Sequence, residues 1–373
     1  MTDRPIDILR FRRDLHRHPE LSFRETRTCA RIAEALATLG IEHRIVARTG
    51  VLACLEGHGD LRRAVVLRAD IDALPIRELA DVAWRSEHDG VMHACGHDIH
   101  TAVLLGVLQE LSRTRDFEGT LIGLFQPGEE CNPGGASLVL AEDPFAAYDV
   151  AAVVGEHVEP TLDVGTFGFR DGKYMASSDE LRFTVRGTGG HAALRSLLRD
   201  PVAAAADAVG RLLALNMPER ILSIGRVEAD GATNVVPDEV RLAGTLRTFD
   251  EEVRSGTYDA IRRIFSDVDT RYGTTTLVDI DRGYPCVVND PSLAAVARRV
   301  ARTQWQAVEL PLRTTAEDFG FYTRRYPSLF YRLGVGRASG RTHTAAFVPD
   351  EAAIETGIAF MQALALELLN DKR

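Results

Sequence analysis

Hydrophobic residues follow two rhythms along this chain. In the first half, Ala64 to Leu67, Thr120 to Phe125 and Val150 to Val154 are short, nearly unbroken apolar runs. That is the pattern of strands buried on both faces. Helical stretches precede and separate them. One runs from Ile6 to Arg17 and is stopped by Pro19; another is opened by Ser22 and Glu25, spaced as a capping box, and reaches about Leu39. A third runs from His100 to Ser112. Alternation of this kind predicts an α/β fold with a central sheet between helices.

The rhythm changes near Ser178. Leu181, Phe183 and Val185 alternate with polar residues, which predicts a half-exposed strand over Glu180 to Arg186. An Ala-rich helix follows from Pro201 to about Leu215, then strands at Ile221 to Val227 and Val240 to Leu246. A helix from about Asp250 to Arg271 and a strand from Thr276 to Asp281 complete the stretch. The order β-α-β-β-α-β predicts a ferredoxin-like α+β domain over 178–284. It is expected to interrupt a larger domain of residues 1–177 and 285–373, because the α/β pattern resumes after Tyr284-Pro285.

Bulk properties narrow the classes. A chain of 373 residues suits two domains. A net charge of −10 argues against a nucleic-acid surface, which needs a basic face. The five cysteines are scattered and odd in number, so they form no disulfide framework and fit a reducing cytoplasm. Met1 to Pro5 precede charged residues rather than the apolar core of a signal peptide. No window holds the roughly 18 uninterrupted apolar residues of a membrane span. The expectation is a cytoplasmic protein with neither nucleic acid nor membrane as partner.

The buried strands end in loops rich in ionisable residues, where sites form in open α/β sheets. Asp70 and Asp72 follow the first, Glu129 and Glu130 the second, Glu156 and His157 the third. The segment Met92 to His100 adds three histidines, Cys95 and Asp98. Cys95 and His97 flank Gly96, a spacing that lets sulfur and nitrogen reach one metal or two adjacent ones. On the residues alone, the cluster could also be a nucleophile with its base, or a buried polar turn. Asp70 and Asp72 could be ligands, partners of ligand histidines, or turn residues. His157 and His343 would each be unremarkable in isolation.

Taken together, the motifs resemble the dinuclear metallo-aminoacylase and carboxypeptidase family. The closest branch is that of hippurate, auxin-conjugate and N-acyl-amino-acid hydrolases. The carriers are Arg13-Asp14-Leu15-His16, His18-Pro19-Glu20-Leu21, Leu67 to Pro75, Met92 to His100 and Phe125 to Glu130. Gly189 to Ala193, Asn234 to Asp238, Ala316 to Phe319 and His343-Thr344 continue the series in family order.

The resemblance implies a zinc-peptidase-like catalytic domain with an inserted lid and dimerisation domain. It implies metal ligands Cys95, His97, Glu130, His157 and His343, with Glu129 as general base. Two divalent ions per subunit (zinc, manganese, cobalt or nickel) would lie about 3.5–4 Å apart and share a water. His191 would reach the partner's site in a homodimer and stabilise the oxyanion. Asn234 and Arg247 would hold the carboxylate of an N-acyl amino acid, a group arginine binds bidentately. Asp72, Asp98 and His100 would support the ligands. Departures from the branch pattern are Gly128 for alanine, Glu156 before the ligand histidine, and Arg195-Ser196 for Pro-His. Glu156 is expected either to repel acidic substrates, to meet a cationic side chain, or to point away.

The implied activity is metal-dependent hydrolysis of the amide of an N-acyl amino acid. A dipeptidase or carboxypeptidase would use the same machinery. A cysteine hydrolase with Cys95 as nucleophile and a non-catalytic binding protein are the rivals from other classes.

Overall fold

The computed structural model describes residues 5–370. Met1 to Arg4, which belong to the reading of the N-terminus, and Asp371 to Arg373 lie outside the described residues. The chain forms two compact units. One comprises residues up to Gly172, Val288–Leu312 and Asp318 onward; the other comprises Lys173–Val287 and Arg313–Glu317.

Among the described residues, the first unit holds an eight-stranded mixed sheet. Its order is Glu42–Val46, Gly50–Glu56, Thr120–Gln126, Arg63–Asp70, Asp149–Glu159, Ser328–Gly334, Thr166–Phe169 and Gln306–Glu309. The middle four run parallel, so their carboxyl ends share one edge. Every residue of Thr120–Gln126 is buried, which explains the unbroken apolar run. The flanking pair Glu42–Val46 and Gly50–Glu56 was not anticipated. The first of these is an exposed edge strand, and Glu42, His43 and Arg44 show no apolar pattern.

The helix His97–Ser112 is buried almost all round, so it lacks an amphipathic stripe. It begins at His97 rather than His100, because Gly96 turns the chain at φ 84°. The helix Ala352–Asn370 is long and apolar enough to cross a membrane by length and composition. Here Phe360, Met361 and Leu364 lie in the core with Val103, Leu333 and Phe167.

The predicted capping box does not form. The helix Thr26–Thr38 has Glu25 at its N-cap with no side-chain cap bond. Ser22 instead donates to Asp72 Oδ2 at 2.7 Å, and Glu25 accepts from Thr49 and from the backbone of Gly128. Both side chains are drawn to long-range partners that a local pattern cannot reveal.

The second unit is a four-stranded antiparallel sheet, ordered Arg220–Ala229, Glu239–Thr248, Asp179–Arg186 and Thr275–Arg282. The helices Pro201–Leu213 and Glu251–Tyr272 share its core, with Phe183 against Phe265. The strand order is that of a ferredoxin-like sandwich.

Candidate metal centre

The parallel strands set the site. Asp70 pairs in register with Gln126, and Gly334 with Glu159, so the segments that follow leave from one edge. His157 lies within the strand Asp149–Glu159, not after it as the apolar run suggested. Cys95 and His97 arrive at the start of their helix. A side chain at Gly96 would place its Cβ 2.7 Å from Val158 Cγ2, so only glycine permits this approach. His343 holds a left-handed backbone at φ 60°, and its N–H donates to the Ala94 carbonyl at 2.8 Å. Such strain in a non-glycine residue persists only where the surroundings enforce it.

The electron-rich atoms converge. Cys95 Sγ is 3.2 Å from Nε2 of both His157 and His343. His343 Nε2 is also 3.2 Å from Glu130 Oε1, and His97 Nε2 is 3.9 Å from that oxygen. Two groups of candidate ligands overlap at the sulfur: Cys95, His97 and His157, and Cys95, Glu130 and His343. Glu129, almost fully buried, groups with His97 and Glu130.

This donor set fits divalent metal. His157 Nδ1 faces the Val158 carbonyl at 2.7 Å, and His97 Nδ1 faces the Asp72 carbonyl and carboxylate at 2.9 and 3.1 Å. Each Nδ1 therefore carries a proton, which leaves Nε2 as the nitrogen each ring can offer a metal. His97 Nε2 is buried without a hydrogen-bond partner. Burial opposes charge on His97, yet Asp70, Cys95 and Asp72 hold it well above the ordinary histidine value. Bonds to Cys95 and Glu130 push His343 up to about 10. Both shifts report a site that favours positive charge, the demand a cation meets.

The supporting residues divide into separate groups. Asp72 Oδ2 accepts the Glu130 N–H at 3.0 Å, so this carboxylate touches both His97 and the glutamate loop. His100 Nδ1 donates to Asp70 at 2.6 Å, and its Nε2 accepts the Val158 N–H at 2.9 Å. Asp98 pairs with Arg12 at 2.7 Å and His16 at 2.8 Å. Burial opposes its ionisation, but these two cations hold it far below the usual carboxylate range. Arg12 and Glu25 were missed as partners, and His16 was noted only within the motif Arg13-Asp14-Leu15-His16. Arg332, directly opposite His157 in the sheet, was missed as well. His93 is buried with both ring nitrogens unpartnered, and burial lowers it to about 4.

Two departures acquire physical reasons. A side chain at Gly128, where φ is 60°, would meet the Phe23 ring at 2.3 Å. Glu156 is fully buried and accepts from the Tyr331 hydroxyl at 2.8 Å. Burial pushes it up to about 8. It therefore points away and offers no charge to a substrate, as alternation along a strand allows.

His191, Asn234 and Arg247 belong to the second unit. Gly190–His191 pairs with Val235–Val236, and the Asn234 carbonyl accepts the Ala192 N–H at 2.9 Å, which makes His191 and Asn234 neighbours. Arg247 stands apart from them on Glu239–Thr248, half-buried, with its pKa lowered by burial. Arg195 and Ser196 form an exposed 3-10 turn.

A model of peptidase family M20/M25/M40 matches residues 66–367. N-acetylcysteine deacetylase of Bacillus subtilis (strain 168) is 35% identical over 372 residues, 97% of each chain. N-acetyldiaminopimelate deacetylase of Geobacillus thermodenitrificans (strain NG80-2) is 34% identical over 360 residues, 94% of each. A solved structure from Bacillus subtilis, described as a dinuclear metal binding peptidase from the M20 family, superposes with a TM-score of 0.87 at 35% identity over 97% of each chain. With a family match over most of its length and relatives alike from end to end, this chain belongs to peptidase family M20/M25/M40.

Proposed function

We propose that this chain is a metal-dependent hydrolase that cleaves the amide bond of N-acyl amino acids. The observation that carries this reading is the convergence of Cys95, His97, Glu130, His157 and His343 beside the sheltered carboxylate of Glu129. The relatives named as deacetylases of N-acetylated amino acids support the substrate class.

Cys95, His97, Glu130, His157 and His343 would together hold two divalent ions. When bound, such ions polarise a scissile carbonyl and acidify the attacking water. Glu129 takes the proton of that water and delivers it to the leaving nitrogen. Asp72 keeps the His97 proton on Nδ1, so that Nε2 faces the site. Zinc, manganese, cobalt and nickel all suit this mixture of sulfur, nitrogen and oxygen donors.

The second unit serves as lid and homodimer contact in this reading. Exposed Leu194, Leu197, Met217 and Val227 supply apolar surface for a partner subunit. His191 would support the developing oxyanion, and Asn234 and Arg247 would bind the substrate carboxylate. The five unpaired cysteines favour the cytoplasm as its compartment.

The test is a hydrolysis panel with metal-reconstituted protein, comparing N-acetyl and N-benzoyl amino acids with dipeptides. Faster turnover of the acylated amino acids is expected. Preference for dipeptides would make the chain a dipeptidase with the same machinery, and no cleavage of any amide would overturn the reading.

A further inference from the structure

Glu129 and Glu130 stand on a loop that leaves the sheet at Gln126 and enters the helix Gly135–Ala141. The loop is closed at its neck, where the Gly135 N–H donates to the Gly128 carbonyl at 3.0 Å. A single buried carboxylate grips both sides of it. Gln126 Nε2 donates to Asp318 Oδ1 and Oδ2 at 3.0 and 2.8 Å, and the Ala136 N–H donates to Oδ2 at 2.9 Å. Asp318 is fully buried and lies 192 residues from Gln126.

The same carboxylate is tied to the sheet. Arg68 Nη2 donates to Asp318 Oδ1 at 2.8 Å, Nη1 to Asp70 Oδ2 at 2.6 Å, and Nε to Gln126 Oε1 at 3.0 Å. Asp70 in turn receives His100, whose other nitrogen holds the Val158 N–H beside His157. A continuous run of buried hydrogen bonds thus joins the neck of the Glu129 loop to the strand of His157. Buried carboxylates are costly, and one used only for packing could be replaced by an apolar group.

We propose that Asp318 is a positioning residue: it clamps both ends of the Gln126–Ala136 loop and so sets Glu129 relative to the strand bearing His157. Its carboxylate lies within 4.8 Å of the Glu129 carboxylate, and it acts on the reaction through the loop and Glu129 rather than on substrate. It rests on the functional reading above only for its effect on turnover. Asp72 and Glu25 hold backbone N–H groups inside the loop, at Glu130 and Gly128. Asp318 alone among the three binds both arms of the loop, at Gln126 and at Ala136.

The test compares the full-length, metal-reconstituted wild type with Asp318→Asn and Gln126→Met by amide hydrogen exchange and steady-state kinetics. Asparagine keeps the size but turns a donor toward either Arg68 or Ala136. Exchange over 127–136 should accelerate about tenfold while that of 102–111 in the core helix stays as in wild type. The turnover number should fall about a hundredfold with little change in KM, as expected for a displaced base rather than lost substrate binding. Both variants loosen one clamp, so the double variant should lose little more than Asp318→Asn alone. Unchanged exchange over 127–136, or an equal rise over 102–111, overturns the proposal. Should Asp318→Asn fail to fold, Gln126→Met decides it by the same exchange measurement. A wild type that cleaves no amide, with the loop-specific exchange change still present, sinks the functional reading and leaves the clamp standing.

Discussion

Asp72 accepts the Nδ1 proton of His97 at 3.1 Å with one carboxylate oxygen, while its other oxygen receives the backbone of Glu130 at 3.0 Å. One side chain thereby fixes the ring of one proposed ligand and the main chain of another. Asp72→Asn should weaken metal binding about 10- to 100-fold, the usual cost of removing such a partner. Competition with a fluorescent chelator measures it, and unchanged affinity would show that ring orientation does not depend on Asp72.

Glu129→Gln removes the proton acceptor and keeps the shape of the loop. Turnover should fall by about a hundredfold to ten-thousandfold. Metal content, read by elemental analysis, should stay at the wild-type level. A variant with near-normal turnover would place the base elsewhere.

Chelation separates the metal reading from a cysteine nucleophile. Activity should vanish with chelator and return on adding Mn²⁺, Co²⁺ or Zn²⁺. Cys131 is exposed, so the alkylation experiment uses a Cys131→Ser background. Mass spectrometry should find Cys95 protected in metal-loaded protein and alkylated after chelation. Activity that survives chelation and is lost on alkylation would favour the nucleophile.

The dimer reading predicts complementation. His191→Ala and Glu129→Gln subunits, each impaired alone, should recover activity when mixed, since half of the mixed sites would combine an intact His191 with an intact Glu129. Absence of recovery in a mixture shown to exchange subunits would place His191 outside its partner's site.

In the second unit, buried Asp179 accepts from Arg254 at 3.0 Å and from the Tyr258 hydroxyl at 2.8 Å. Arg254→Met leaves that carboxylate without its cation. A loss of about 3–5 kcal/mol in stability is expected. Urea unfolding monitors it, and a loss near zero would mean that tyrosine and backbone donors suffice.

The amino-acid sequence by itself determined the buried strands and the family, and raised the expectation of a second α+β unit. Those features rest on local periodicity and on motifs a few residues long, such as Cys95-Gly96-His97 and Glu129-Glu130. It also singled out the residues whose donor atoms converge, because each lies near the end of a buried strand or in a motif of the family. Tertiary structure decided who supports whom. Ser22 and Glu25 have the spacing of a cap, yet Asp72 and Gly128 claim them. Asp98 answers to Arg12 and His16 rather than to a proposed ligand, and Glu156 turns into the protein toward Tyr331. The neck of the glutamate loop is held by Asp318 from far along the chain. A buried polar group must find a partner wherever the fold places one. Distance in sequence does not limit that choice, so it leaves no trace in the local pattern.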